Sequence, residues 1–553
     1  MSPASPARAE RAALTAVQLG ALAVVLAALP YRAFELDRFF VAKELVLHVA
    51  AAAAATLLIA HAARPAAGGG VRLALTDWAL AGFTLLGAVS AVAATNRWLA
   101  VRALGVTLSA AAIFWSARAL ARAGLGRPLL GALAAAVTAG AATSLLQAYG
   151  VESEYFSINR APGGTFGNRN FVAHLGAIGF PLLVLATLTA RRPAGAVLGA
   201  LSAALVAAML FLTRSRAAWL AVAAGALPLA WAVWRARDLT LDARLRGRRR
   251  LVVAASGVGV VAALALPNAL NWRSDSPYLD SVKGVVDYRQ GSGKGRLVQY
   301  DNTLRMALDN PVLGVGPGNW AVWYPRYATR RDPSLGDDGM TANPWPSSDW
   351  AAFAAERGLV ATTLLALALL GVGVRAWLAL RAARSAEELV APAALASALL
   401  ATLVVGAFDA ALLLAPPALV AWGAFGALWP ERAPLRRAAG AVRPLLSDAG
   451  RRRLAGFAAL AGLLLVVRSA SQAIAMGIVN DDAERGALER AALADPGSYR
   501  IQLWLARGDA RRGRCRDVRA HAGRALALFP SAREPRQLLA RCGITVAPNP
   551  PQR

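Results

Sequence analysis

The chain has 553 residues, 57% of them hydrophobic and 17% charged, with a formal net charge of +28. This balance excludes a soluble protein with an ordinary polar surface, because the apolar residues fall in blocks of roughly 20, the length that crosses a hydrocarbon core of about 30 Å. The positive charge does not describe a nucleic-acid surface either: the arginines lie mostly in short loops between apolar blocks, where membrane orientation places them and anionic lipid head groups partner them.

Taken in chain order, Arg8 and Arg11 precede a first apolar run without a small-residue cleavage site, which is expected to be retained as a span. Spans are expected at 12–30, 44–63, 78–95, 101–119, 129–149, 171–190, 195–212, 217–234, 251–268, 358–378, 389–408, 411–429 and 454–476. Arg468 interrupts the last of them, and Asp409 is the other candidate mid-span charge. With the N-terminus inside, the loops 235–250 and 430–453 fall inside and are strongly basic, the first carrying Arg244, Arg246, Arg248, Arg249 and Arg250, the second Arg432, Arg436, Arg437, Arg443, Arg451, Arg452 and Arg453. The one long loop, 269–349, falls outside, and its nine Lys and Arg balance its nine Asp. Positive charge concentrated on one side sets orientation, and an odd number of spans then puts the C-terminus outside.

Three segments on the expected outer face stand out. Gly164–Asn170 (GTFGNRN) leads into the span at 171, and its glycines and asparagines describe a tight polar turn that caps a helix or touches a ligand, with Asn168 and Asn170 as the candidates. Thr213–Trp219 (TRSRAAW) puts Arg214 and Arg216 on the face where the orientation rule disfavours them. Arginine suits bidentate contact with phosphate oxygens, with snorkelling to lipid as the alternative. Arg296–Asn319 opens a helix in which Leu297, Tyr300, Leu304 and Leu308 share a face that could lie on the membrane or cover a cavity, with Pro311 and Gly314 ending it. Elsewhere, the glycines 314, 316 and 318 lack the strand-to-helix context of a dinucleotide fingerprint. Gly291–Arg296 (GSGKGR) lacks the Ser or Thr of a phosphate loop, and the four histidines offer no metal-ligand spacing.

From about residue 480 the chain reads as short helices. Ala491–Pro496 (AALADP) and Ala525–Pro530 (ALALFP) end two of them 34 residues apart, the tetratricopeptide period, with Leu505, Ala506, Ala525 and Pro530 in register; a plain helical hairpin domain is the alternative. Cys515 and Cys542 both lie here and are disulfide candidates if the tail is outside, in an oxidising compartment.

In order and spacing, GTFGNRN, the SRAAW after a span, the run from Arg296 through NPVLGVG, and Asp349–Leu359 (DWAAFAAERGL) resemble the O-antigen ligase and polymerase-like superfamily of bacterial envelope glycan enzymes, over roughly residues 30–430. The resemblance implies an all-α polytopic membrane protein of the GT-C-like kind with 12 to 13 transmembrane helices. Its expected organisation is a membrane domain over 1–429 with the periplasmic loop 269–349, a basic cytoplasmic loop at 430–453, a final helix at 454–476 and a tetratricopeptide-like periplasmic tail at 480–547. It implies transfer of a glycan from an undecaprenyl-diphosphate carrier to a glycan, lipid or protein acceptor outside the bacterial inner membrane, with no metal, no cofactor and no nucleotide sugar. Arg216 and Arg296 then stand where relatives hold the diphosphate, with Arg214 and Arg305 as secondary candidates, and the tail would recruit a protein partner. Such ligases carry His-Asn just before the aspartate of the last motif. Ser347 and Ser348 stand there in this chain, and Ser is a poor general base, so Asp349 is the candidate for acceptor activation beside Ser347. A transporter or flippase for a lipid-linked or anionic solute, which would favour inverted repeats and mid-span charges, and a non-catalytic scaffold are the rival readings.

Overall fold

The computed structural model describes residues 7–61, 73–157, 160–239, 243–272, 274–284, 291–329, 331–336, 338–430, 447–481 and 484–545. In chain order the α-helices are α1 (Arg8–Leu26), α2 (Asp37–His61), α3 (Leu75–Ala93), α4 (Arg97–Arg122), α5 (Gly126–Ala148), α6 (Arg169–Thr189), α7 (Pro193–Leu212), α8 (Arg216–Arg235), α9 (Ala243–Ala265), α10 (Pro277–Lys283), α11 (Gly291–Asp309), α12 (Trp320–Trp323), α13 (Asp349–Ala382), α14 (Ala386–Phe408), α15 (Ala415–Ala427), α16 (Asp448–Asp481), α17 (Arg485–Ala494), α18 (Tyr499–Arg511), α19 (Cys515–Leu528) and α20 (Arg533–Arg541). Among the described residues the protein is all-helical, and eleven helices (α1–α8, α13, α14 and α16) are long and apolar enough to cross a membrane. It is a polytopic membrane protein. The core lies around α6, the span with the largest buried share, which packs against α5, α7, α8, α14 and α15.

Two of the thirteen expected spans fall short of that length and composition. α9 opens inside the arginine cluster, and its first turns carry Arg244, Arg246, Arg248, Arg249 and Arg250. α15 has only 13 residues, about 20 Å of helix. It nevertheless links the two ends of the bundle. Its leading residues Ala411, Leu412 and Leu413 donate to Asp349 at the start of α13, whereas Trp429 just beyond its end lies under the Arg118 guanidinium near the end of α4, 4.7 Å from ring centre to Cζ. The basic loop expected at 430–453 falls largely on 431–446, outside the described residues.

Several charges inside the spans are paired, which offsets the cost of an isolated charge in hydrocarbon, while buried Lys43 and Arg357 donate to the Ala27 carbonyl and the Thr107 hydroxyl. Sequence alone marks Arg468 and Asp409 as the mid-span charges; the structure adds several more. Arg102 of α4 bonds Asp37 and Glu44 of α2, both at 2.7 Å. Arg118 bonds Asp77 of α3 at 2.9 Å, and His48 meets the Ser109 hydroxyl at 2.8 Å. Arg468 is paired with the tail. α16 runs for 34 residues, about 50 Å and so longer than a bilayer core. Arg468 lies in its second half, ion-paired with Asp495 of the tail at 3.3 Å.

The long loop folds back onto α13, and one glycine makes this contact. Gly358 has φ +82°, and a Cβ there would lie 2.2 Å from the Val312 carbonyl oxygen. The helical dihedrals break at that point. The Ala355 and Glu356 carbonyls accept instead from the N–H groups of Val315 and Gly316, both at 2.9 Å. The VLGVG run is thus a docking strip for a kinked helix, and Gly314, Gly316 and Gly318 serve close packing. The loop is also fastened to the α3–α4 turn, where Asn319 and Asn96 exchange two side chain to backbone bonds at 2.7 and 3.0 Å.

The tail forms the four helices α17 to α20. Leu503, Ala506, Val518, Ala522, Leu538 and Leu539 make its core, and Cys515 is bonded to Cys542. It seats on the long loop and on the ends of α2 and α4: Phe34 meets Trp504 edge-on at 5.6 Å, and the Arg533 N–H donates to the Asp338 carbonyl at 3.4 Å. The tetratricopeptide register remains an expectation from the sequence.

Candidate functional site

The three segments singled out in the sequence meet at one end of the bundle. The GTFGNRN turn is held by α5 and α1: Gly164 N–H donates to the Gln147 side chain at 2.8 Å, and the Thr165 hydroxyl donates to the Val25 carbonyl at 2.6 Å. Gly167, at φ +72°, packs so tightly on Phe39 that a Cβ would approach the ring to 2.3 Å. Asn168 then caps α6, accepting from the Asn170 N–H at 3.0 Å, as Asn does at helix starts. Asn168 is buried and acts through the backbone.

Asn170 points the other way and donates to Asp409 at 3.4 Å. His174, one turn further along α6 and fully buried, lies with Nε2 4.0 Å from the same carboxylate. The charge of Arg296 reaches His174 as well. Arg296 arrives there because α11 is clamped four residues later: the Tyr300 hydroxyl bonds the Ser347 and Ala407 carbonyls, both at 2.9 Å. Residues i and i+4 share a helix face, so Arg296 lies on the inward side. That inward side is Gln299, Asn302, Thr303, Met306 and Ala307, all nearly inaccessible. The apolar face expected from Leu297, Leu304 and Leu308 is the outer one, each of these being at least half exposed.

Asp349 is fully buried. Its carboxylate accepts from the N–H groups of Ala411 (3.0 Å), Leu412 (2.7 Å) and Leu413 (3.4 Å), so it anchors the 410–413 turn and faces no open space. Ser348 caps α13, accepting from Ala351 N–H and donating to the Gly406 carbonyl. Ser347 is held by its backbone, its N–H donating to Gln299 at 2.5 Å. Sequence reading missed Asp409 and His174 as a pair. Asp409 appears there only as a mid-span charge and His174 as one of four scattered histidines, and nothing in spacing announces that residues 235 apart converge.

A second cluster of cations lies on the α7–α8 turn. Arg214 sits at φ +53°, a left-handed conformation uncommon for a side chain larger than glycine. Its guanidinium donates to the Ser281 hydroxyl at 2.9 Å and stacks on Trp272 at 4.5 Å. Arg169 stacks on the same ring at 5.1 Å. Burial and Tyr278 and Asp280 act oppositely on Arg214, and burial prevails, lowering its pKa from the ordinary value. Arg216, the first residue of α8, donates to the Gly284 carbonyl beyond α10. α10 is itself pinned by Tyr278 stacking on Phe211 at 4.5 Å. Arg305 stays apart from both clusters, in an exposed i,i+4 pair with Asp301.

Fold and site define an all-helical polytopic membrane protein that gathers arginines, a carboxylate and polar helix starts at one end of its spans. Residues 201–366, from α7 into the first half of α13, match the family model described as O-antigen ligase. This stretch is similar to the O-antigen ligases, a likeness that supports glycan ligation in envelope polysaccharide biosynthesis. No curated protein matches the chain.

Proposed function

We propose that the protein transfers a glycan from a polyprenyl-diphosphate carrier, of the undecaprenyl type, to an acceptor hydroxyl at the outer face of a bacterial inner membrane. The observation that carries this reading is the placing of Arg296, by the Tyr300 clamp to Ser347 and Ala407, beside the Asp409, Asn170 and His174 group; Arg296 lies within the stretch 201–366 matched by the ligase family, and the other three residues flank that stretch. The acceptor oxygen attacks the anomeric carbon of the donor sugar. The bond from that carbon to the diphosphate oxygen breaks, and the carrier diphosphate leaves with the electron pair. Arg296 and Arg216 hold the diphosphate and offset its developing charge, which is where fixed cations act most strongly in a water-poor site. Arg214, with Arg169, holds the cluster around Trp272 on the same turn.

The acceptor proton goes to Asp409. That carboxylate is partly accessible, whereas Asp349 is closed in by three N–H groups. Asp349 positions Asp409 by fixing the turn that follows it, and Ser347, through its clamp to α11, positions Arg296. The N-terminus is inside and the tail outside, a direction supported by the basic loops and by the Cys515–Cys542 bond, which suits an oxidising compartment.

The test is transfer by purified protein in nanodiscs with a polyprenyl-diphosphate-linked donor. Arg296→Ala should lower the transfer rate by at least a hundredfold, with lipid-linked donor building up in cells, and Arg296→Lys should recover part of it. Undiminished transfer by Arg296→Ala sinks the reading.

A further inference from the structure

Between the tail and the ends of α2, α4 and α16 lies a cavity of about 440 Å³, closed on one side by the 338–345 stretch of the long loop. Its volume is within the roughly 300–1,000 Å³ range of small-molecule sites. It lies apart from the arginine cluster on the α7–α8 turn, and the first turn of α6 separates the two. Arg169 there faces Trp272 and Arg214, while Phe171 meets Phe40 and Trp345 of the cavity wall, at 5.7 and 6.1 Å between ring centres. Leu413, another wall residue, belongs to the turn anchored by Asp349.

The chemistry of the wall is specific. Half-buried aromatic faces, Trp345, Tyr499 and Trp504, alternate with charged groups, three arginines among them already paired with carboxylates. Arg102 is bonded to Asp37 and Glu44, Arg468 to Asp495, and Arg507 to Glu534. Arg500, a further wall residue, donates to the Ala33 carbonyl and lies over the Phe34 and Trp504 rings, so the wall gathers no cluster of cations of the kind a phosphate or a uronic acid would call for. It offers flat apolar faces beside planar donors and acceptors, the combination that suits the C–H faces and hydroxyls of a sugar ring. Polar capacity is also left over: Tyr499 Oη, Arg468 Nε and Nη1 and Glu356 Oε2 are buried without a hydrogen-bond partner, on residues that line the cavity. Buried polar groups are ordinarily satisfied, so an unsatisfied cluster calls for an explanation.

We infer that this junction cavity is a subsite for an uncharged saccharide segment of the glycan being joined, built jointly by the membrane domain and the tail. The inference deepens the proposed transfer reading and rests on it only for the identity of the glycan. The saccharide could come from the carrier-linked donor or from the acceptor, since both present the same hydroxyl chemistry.

The experiment uses the full chain in nanodiscs and two probes. One is the oligosaccharide released by mild acid from the cell's lipid-linked donor, free of carrier and diphosphate. The other is the delipidated envelope glycan from a strain deleted for this gene. Binding is followed by saturation-transfer difference NMR. At least one probe should bind the wild type, and which one binds identifies the source. Trp504→Ala and the cavity-filling Ala342→Trp should each weaken that binding at least tenfold, while Arg296→Ala should leave it unchanged. In transfer assays Trp504→Ala should raise KM for the same partner with kcat within about twofold. Absence of binding by the wild type, or binding unaffected by both cavity variants, overturns the subsite even if transfer proceeds. Binding that meets these expectations in a protein that transfers nothing leaves the subsite standing and removes the transfer reading instead.

Discussion

At the scale of single residues, two aspartates near the 409–413 turn are placed differently, Asp409 partly accessible and Asp349 closed in. Asp349 holds three backbone N–H groups and is fully buried, so Asp349→Asn should act on stability. The loss of charge-assisted bonds is worth about 1–3 kcal/mol and is measurable as a lower thermal midpoint in detergent. Asp409→Asn keeps the hydrogen-bonding shape. It should leave the midpoint in place and lower kcat by about 10²-fold or more, the usual size of a lost acid–base group. If both variants lose activity only in proportion to folded protein, Asp409 is not the proton acceptor. Gly358→Ala is a sharper structural probe. It forces a side chain into φ +82° and against the Val312 carbonyl, so the long loop should detach and proteolysis within 311–320 should accelerate. The DWAAFAAERGL and NPVLGVG motifs were readable as words in the sequence. That they are two halves of one contact was not, because the contact is made by backbone carbonyls and N–H groups that side-chain spacing does not encode.

At the scale of elements, α11 shows where periodicity misleads. Leu297, Tyr300, Leu304 and Leu308 were correctly placed on a helix, yet the leucines face outward while a mostly polar stripe is buried. The inner face packs Met306 and Ala307 against Trp320 and Tyr324, and Asn302 and Thr303 bond the same two aromatic residues, which leaves the leucines outside on a face suited to a bilayer surface. We therefore expect Leu304→Trp to be quenched by brominated lipids in reconstituted protein and Thr303→Trp not to be; equal quenching would mean that α11 stands clear of the membrane. In the tail, the Cys515–Cys542 bond closes a loop of separation 27, for which stabilisation of about 2–4 kcal/mol is typical. Cys515→Ser should lower the unfolding midpoint of the tail and speed its proteolysis with little effect on the spans. α16 is a case where the tertiary structure settles an awkward residue: Arg468 looked like a charge within a span and instead joins the span to the tail through Asp495.

At the scale of the whole molecule, the orientation deduced from the basic loops is itself testable. A periplasm-active reporter fused after residue 545 should be active, and the same reporter at 240 should not. The reverse pattern would move the arginine clusters to the other face and remove the transfer reading. Most of the membrane domain could be read from the sequence, because apolar length and arginine placement are local and every span must satisfy its own backbone hydrogen bonds. Helical content, the bundle, the long loop and the candidate arginines all follow from that. What only the tertiary structure decided is convergence: that Arg296 lies on the inward face of α11 and Arg305 in an exposed pair, that Asp409 and not Asp349 is the accessible carboxylate, that Arg102 and Arg118 find carboxylates on neighbouring helices, and that the tail and the loop enclose a cavity. Each depends on residues distant in sequence; the ion pairs among them are favoured because an unpaired charge is costly in hydrocarbon, and a linear pattern carries no record of which partner each charge will choose.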